Sequence, residues 1–181
     1  MGLMRQLAWT SSAKLVYLMA IGQRTDAISI LGREVMAERG LVGLGIDSLT
    51  YCTGEILAVF KVLSKEANYP VLVHCTQGKD RTGLVVLLVL MLCVVDLGVA
   101  RGDYMASERE LRGEREEKLT EIRSIGLPDV FADCPEDWVE TVGAHIEERY
   151  GGVEKYLARC GVTREMQKSV KRIMMCEEHG S

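Results

Sequence analysis

The sequence has little of what marks proline-rich linkers, disulfide scaffolds and zinc sites. Only three of its 181 residues are proline, which excludes a proline-rich linker. Its six cysteines lie far apart, with no Cys-x-x-Cys pair and no cysteine–histidine cluster. That spacing excludes a small disulfide framework and a common zinc-binding pattern. We therefore expect reduced thiols and a cytoplasmic protein.

Long hydrophobic runs and an excess of positive charge are absent as well. The longest apolar run, residues 84–95, falls short of the roughly 20 residues that a transmembrane helix needs, so it predicts a buried helix and no transmembrane segment. No signal peptide is recognisable at the start of the chain. The net charge of -4 gives no general attraction to nucleic acid, so any anion site has to be built locally.

The composition, with 48% hydrophobic and 27% charged residues, is that of an ordinary globular protein. The length predicts a single domain over residues 1–181. One strand is expected at residues 70–74, where an unbroken apolar run suits a strand covered on both faces. Elsewhere apolar residues recur at helical spacing. The predicted helices are about 12–19, 26–40, 49–65, 84–97, 103–112, 114–125, 136–150, 153–159 and 163–175. Asp47 or Ser48 is the predicted N-cap of the third helix and Thr163 that of the last, and Gly98 is the predicted stop of the apolar helix.

Between the predicted strand and the apolar helix stands the polar turn HCTQGKDRTG, residues 74–83. A glycine-bearing turn before a helix that begins near Arg81 would aim consecutive backbone N–H groups at one point, and the positive end of the helix dipole would lie behind them. That geometry suits a phosphate. A Walker nucleotide-binding loop would need glycine at position 73 and serine or threonine at 80, where the chain has Val73 and Asp80.

Two side chains of the turn add chemistry to this anion site. Cys75 should lose its proton easily, because a helix N-terminus and nearby cations lower the pKa of a thiol from about 8.5 to roughly 3.5–7.5. Its thiolate would be a nucleophile at neutral pH. Arg81 presents a planar fork of donors that can hold two oxygens of a phosphoryl group while charge develops.

The turn resembles the HCx5R[ST]G signature of cysteine-based protein tyrosine phosphatases. It is most similar to the microbial and fungal branch with a GKDRTG core, and DYMASERELR and ERYGGVEKYLARCGVT downstream look like stretches of that branch. The resemblance implies a helix-rich α/β fold, protein tyrosine phosphatase-like, with a small or incomplete central sheet. The branch's NFRD-GG-like motif and DLR strand are missing, so the resemblance also implies a family member shortened at its N-terminal end, a sequence with a misplaced start, or a protein completed by another subunit.

Carried to this sequence, the resemblance implies phosphomonoester hydrolysis without a metal or an organic cofactor. Cys75 would attack phosphorus and Arg81 would bind the phosphoryl oxygens. Asp80 would be the proton donor to the leaving group, and Lys79 would add charge for multiply phosphorylated head groups. The full set of implied residues is His74 and Thr82 in support of Cys75, and Thr76, Gln77, Gly78, Lys79, Asp80 and Arg81 around the phosphate.

Several alternatives stay open on the sequence. The substrate is a phosphotyrosine protein or a phosphoinositide, and a shortened chain that only binds phosphate is the alternative to an enzyme. Asp80 could instead cap the helix or balance Lys79, and Asp47 suits a helix cap better than a general acid. We expect His145 to be an exposed helix residue. The other cysteines, at positions 52, 93, 134, 160 and 176, are expected to be apolar filler or surface thiols.

Overall fold

The computed structural model describes residues 9–175, and within that range the chain is predominantly helical. A π-helical turn, Gly32–Met36, joins α2 to α3, and short 3-10 turns occupy Glu66–Asn68, Leu111–Glu114 and Asp129–Ala132. None of the described helices is long and apolar enough to cross a membrane. The α-helices are α1 Trp9–Ala20, α2 Arg24–Leu31, α3 Ala37–Tyr51, α4 Thr53–Leu63, α5 Asp80–Leu92, α6 Leu97–Glu110, α7 Arg115–Ser124, α8 Trp138–Tyr150, α9 Val153–Arg159 and α10 Arg164–Met174.

Helix α5 lies inside the main hydrophobic core, as its apolar sequence predicts. Helices α3, α6, α9 and α10 pack against it. Its Leu84, Leu87, Leu88 and Leu92 are buried, and Phe60 from α4 is fully buried in the same core. The helix therefore carries the turn at its N-terminus on a rigid support.

The prediction of a strand at residues 70–74 is wrong. No strand is formed between residues 9 and 175, so the predicted central sheet is not found there. Leu72 is 84% exposed, whereas a strand covered on both faces would bury it. A strand needs a neighbour for its backbone N–H and C=O groups, and the surrounding helices offer none. The segment instead leads irregularly into the turn.

Two predicted helix boundaries also need correction. Asp47 caps no helix, because it lies inside α3, where Arg39 holds its carboxylate with two hydrogen bonds, one of 2.9 Å. Gly98 is not a stop, since α5 already ends at Leu92 and Gly98 lies in the first turn of α6. The N-cap of α6 is Asp96, whose carboxylate accepts the N–H of Gly98 at 2.8 Å. Thr163 caps α10 as predicted, accepting the N–H of Met166.

Helices α1 and α2 form an N-terminal hairpin with a small core of its own. Leu15, Leu18, Ala27 and Ile30 are buried together in a cluster separate from the main core. The outer faces of the hairpin are apolar at several positions, among them Tyr17, which is 63% exposed. The hairpin thus buries far less of its apolar surface than the helices that follow.

Candidate active site

The turn between residue 74 and the start of α5 folds back on itself at Gly78. The backbone of Gly78 has φ 69°, a left-handed conformation that favours glycine. Helix α5 begins directly afterwards at Asp80, and its first hydrogen bonds include the Gly83 N–H to the Lys79 carbonyl at 2.6 Å. The turn therefore sits over a helix N-terminus, where unpaired N–H groups and the helix dipole favour an anion.

The sulfur of Cys75 lies among the N–H groups of this turn. Partial burial raises the pKa of the Cys75 thiol, but hydrogen bonds from the Thr82 hydroxyl and from the backbone N–H groups of Thr82, Gln77 and Gly78 outweigh that effect and lower the pKa to about 7. Each of these bonds favours the charged form of the sulfur. Close to half of the thiol is therefore ionised at neutral pH.

Thr82 is placed to stabilise that thiolate. Its hydroxyl oxygen is buried and has no oxygen or nitrogen partner among the described residues. The hydroxyl is close enough to the Cys75 sulfur to lower the pKa of that thiol. A buried hydroxyl without a partner is costly, so a negatively charged acceptor beside it satisfies both groups.

Arg81 and His74 flank Cys75 at the exposed mouth of the turn. The Arg81 guanidinium is exposed, and its Nη2 donates to the Thr76 hydroxyl at 3.0 Å. The predicted arginine therefore reaches across the turn to the residue that follows Cys75. The His74 ring is exposed, with Nδ1 3.4 Å from the Cys75 carbonyl oxygen. The mouth thus combines a nucleophile with a guanidinium free of carboxylate partners among residues 9–175.

Asp80 is the first residue of α5 and not its N-cap. Burial raises the pKa of its carboxyl, and the positive charge of Lys79 opposes this only in part. The Oδ1 atom is buried without a hydrogen-bond partner in the described chain and lies 3.8 Å from the Lys79 ammonium. A carboxyl with a raised pKa keeps its proton to higher pH, which suits a proton donor.

Comparison with known proteins agrees with this geometry. A model of the tyrosine phosphatase family matches residues 33–176.

The chain belongs to the tyrosine phosphatase family.

Two relatives illustrate the similarity. A tyrosine-protein phosphatase of Nostoc commune is 27% identical over 173 residues, which cover 85% of this chain and 59% of the relative. The triple specificity protein phosphatase PtpB of Mycobacterium tuberculosis (strain ATCC 25618 / H37Rv) is 29% identical over 124 residues, 60% of this chain and 45% of the relative. The chain thus spans about half the length of the relatives it matches.

Within this family member, Lys79 is the residue whose position differs most from the sequence prediction. Its side chain is 0% exposed, and its ammonium donates to the backbone carbonyls of Phe131 at 2.9 Å and Asp133 at 2.6 Å. The ammonium is therefore not open to the head group of a substrate, contrary to the expectation. Only the backbone N–H of Lys79 is left as a candidate for phosphate binding.

Sequence reasoning missed the residues that support the turn from behind. A Cβ atom on Gly83 would lie 2.9 Å from the Tyr104 ring, so α5 and α6 approach closely at this glycine. The Tyr104 ring stacks on Trp138 with a centroid distance of 4.8 Å. Glycine in an apolar run is the one sequence signal of such an approach. The carbonyls that hold Lys79 carry no signal, because every residue has one.

The remaining candidates lie outside the turn. Asp47 is paired with Arg39, and the half-buried His145 ring contacts Tyr150 on α8. Burial raises the pKa of the Cys134 thiol to about 11 and also raises the pKa values of Cys52, Cys93 and Cys160. Cys75 is therefore the one cysteine of the described chain whose surroundings make it more acidic. Cys176 lies outside the described residues.

Proposed function

We propose that this chain hydrolyses phosphate monoesters through a phosphocysteine intermediate on Cys75. The observation that carries the proposal is the position of Cys75 in the turn over the N-terminus of α5, which Arg81 spans to Thr76 and whose N–H groups and Thr82 hydroxyl lower the pKa of the thiol to about 7. Groups that stabilise a thiolate at that point would also stabilise the charged oxygens of a phosphoryl group next to it. Membership of the tyrosine phosphatase family supports the same reaction. A reduced cytoplasmic setting would keep the thiolate active.

In the first step, the Cys75 thiolate forms a bond to phosphorus while the bond from phosphorus to the ester oxygen breaks. The leaving oxygen takes the electron pair of that bond and a proton from the Asp80 carboxyl. Arg81 exchanges its bond to Thr76 for two phosphoryl oxygens, which its planar fork matches. The backbone N–H groups of the turn bind the remaining oxygen charge.

In the second step, a water molecule attacks the phosphocysteine. The Asp80 carboxylate takes a proton from the water as the new oxygen–phosphorus bond forms. The sulfur–phosphorus bond breaks and its electron pair returns to Cys75 as a thiolate. The Thr82 hydroxyl, which meets the sulfur in the free enzyme, stabilises that leaving group. Free phosphate then dissociates.

We propose phosphotyrosine in proteins as the substrate. Of the two strong bases of the turn, Arg81 is exposed, whereas Lys79 is buried with its ammonium on two carbonyls. A head group with several phosphates would need further cations, so the burial of Lys79 favours a single phosphate on an aromatic ring. The second candidate is a phosphoinositide or another phosphoester, because one relative carries the name triple specificity phosphatase.

The test compares hydrolysis of a phosphotyrosine peptide, a phosphoserine peptide and a soluble phosphoinositide by the purified chain. We expect the phosphotyrosine peptide to have the highest kcat/KM, and Cys75→Ser to lower that value by at least about a thousandfold because the nucleophile is lost. Cys93→Ser, at the far end of α5, is the matched control and should keep full activity. Labelled phosphate should be recovered on the peptide that contains Cys75.

Two other results would redirect the proposal. A preference for the phosphoinositide would support the second candidate. Equal, slow hydrolysis by the chain and by Cys75→Ser, combined with phosphate binding, would instead support a family member that only binds phosphate.

A further inference from the structure

A buried lysine ammonium needs compensation, and Lys79 receives it from the backbone of one distant segment. Removing an ammonium from water is unfavourable unless hydrogen bonds and charge replace the lost hydration. Here the carbonyls of Phe131 and Asp133 accept two bonds, of 2.9 and 2.6 Å, and Asp80 Oδ1 lies 3.8 Å away. The catalytic turn is thereby joined to residues 129–134.

That segment is itself fixed to two helices. The Cys134 N–H donates to the Glu108 carboxylate of α6 at 2.6 Å. The Asp133 carboxylate accepts a bond from Arg115, the first residue of α7, at 2.5 Å. Farther along α7, Arg123 holds the Asp129 carboxylate with bonds of 2.8 and 2.6 Å. The carbonyls that hold Lys79 therefore belong to an anchored frame and not to a free loop.

The turn has little other support at this point. Gly78 adopts a left-handed backbone, and no atom of residues 9–175 lies within 4 Å of the position where a Cβ would stand, so this part of the chain does not pack against it from that side. Its N–H is one of those that meet the Cys75 sulfur. The next residue is Lys79, so the first anchored side chain after the glycine is the buried ammonium.

We propose that Lys79 is a positioning residue, whose clamp on the Phe131 and Asp133 carbonyls holds the N–H groups of the catalytic turn against the Cys75 sulfur. The expected effect of the clamp on kcat rests on the proposed function, whereas its expected effect on the pKa of the Cys75 thiol does not. The Lys79 side chain acts from behind the turn and does not touch the substrate. Loss of the clamp should therefore loosen the turn and lower kcat, while KM changes little.

The test replaces Lys79 by methionine, which keeps the length and apolar stem of the side chain and removes its three donors. Lys118→Met is the matched control, because Lys118 on α7 is also buried but pairs with Glu114, the residue just before that helix. The first readout is the rate of Cys75 alkylation by iodoacetamide against pH, which needs no turnover. We expect the midpoint of Lys79→Met to move from about 7 toward about 8.5, the ordinary thiol value, and that of Lys118→Met to stay unchanged.

The second readout is hydrolysis of an aryl phosphate. We expect kcat of Lys79→Met to fall about 10- to 100-fold, because a displacement of about 1 Å in a reacting group has an effect of that size, with KM within about twofold. An unchanged alkylation midpoint together with a raised KM for a phosphoinositide would overturn the proposal, since it would place Lys79 on the substrate. If the chain hydrolyses nothing, the alkylation readout still decides the role of the clamp.

A second variant covers the case in which Lys79→Met fails to fold. Arg115→Met acts at the other end of the clamp, by freeing the partly exposed Asp133 carboxylate from its helix. It should move the alkylation midpoint in the same direction by a smaller amount. No movement in this variant, in a folded protein, would contradict the proposed coupling.

Discussion

The N-terminal hairpin, residues 9–31, and the rest of the described chain, residues 33–175, differ in how they are held together. The hairpin has a separate small cluster of buried residues and exposes apolar side chains such as Tyr17. The rest shares one core around α5, and the match to the tyrosine phosphatase family begins at residue 33. The candidate active site therefore depends on the second region alone, and changes in the two regions should have different consequences.

The largest effect on stability is expected at Trp138, in the second region. This side chain is buried, stacks on Tyr104 and donates from its ring nitrogen to the Leu41 carbonyl at 3.3 Å. Trp138→Ala should lower the free energy of unfolding by about 3–5 kcal/mol, measured by urea denaturation, because it leaves a large cavity. Trp138→Phe should cost less, since it keeps an aromatic ring. A loss below about 1 kcal/mol for alanine would show that the shared core does not depend on this contact.

A medium effect is expected at Gly83, beside the catalytic turn. In Gly83→Ala the new methyl group would lie 2.9 Å from the Tyr104 ring, so α5 or α6 has to shift. Overpacking of this kind costs about 1–3 kcal/mol of unfolding free energy. The shift should also weaken the contact of the neighbouring Thr82 with Cys75 and raise the pKa of the thiol.

The matched control is Gly102→Ala on α6, where no atom of the described residues lies within 4 Å of the new methyl group. It should be neutral or stabilising, because alanine favours a helix interior over glycine by about 0.5–1 kcal/mol. Combining Gly83→Ala with Tyr104→Leu should recover part of the loss. If Gly83→Ala behaves like its control, the close approach of the two helices does not constrain the site.

The smallest effect is expected in the hairpin. Tyr17 is 63% exposed on α1, so Tyr17→Ser should change the free energy of unfolding by no more than about 0.5 kcal/mol. Alkylation of Cys75 should keep its rate and its pH midpoint. A slower reaction of Cys75 in this variant would mean that the hairpin influences the active site, and the distinction between the two regions would fail.

The sequence was most informative where local rules decide the structure. The turn that holds Cys75, Arg81 and Thr82 follows from its residue types, and helix Val153–Arg159 has the bounds that its apolar spacing predicts. The strand at 70–74 was wrong because a short apolar run has no periodicity that separates a strand from an irregular segment between helices. Asp47 was misplaced as a cap, since its true partner is Arg39, on the other side of the kink at Gly40 in α3.

Lys79 could not have been placed from the sequence. Its partners are backbone carbonyls 52 and 54 residues away, and a carbonyl is present at every position of a chain. A lysine in a turn predicts an exposed cation, because lysine is rarely fully buried. Only the folded arrangement of α6, α7 and the 129–134 segment brings its acceptors together.

The most direct measurement is the pH dependence of Cys75 alkylation in the unmodified chain, followed by mass spectrometry of the peptide that contains it. The reaction should rise with pH around a midpoint of about 7, as the thiol loses its proton, while Cys52 and Cys93, whose pKa values are raised, should lag behind. Thr82→Val should move the midpoint upward. A Cys75 midpoint at or above about 8.5, the ordinary thiol value, would contradict a sulfur held as a thiolate by the turn.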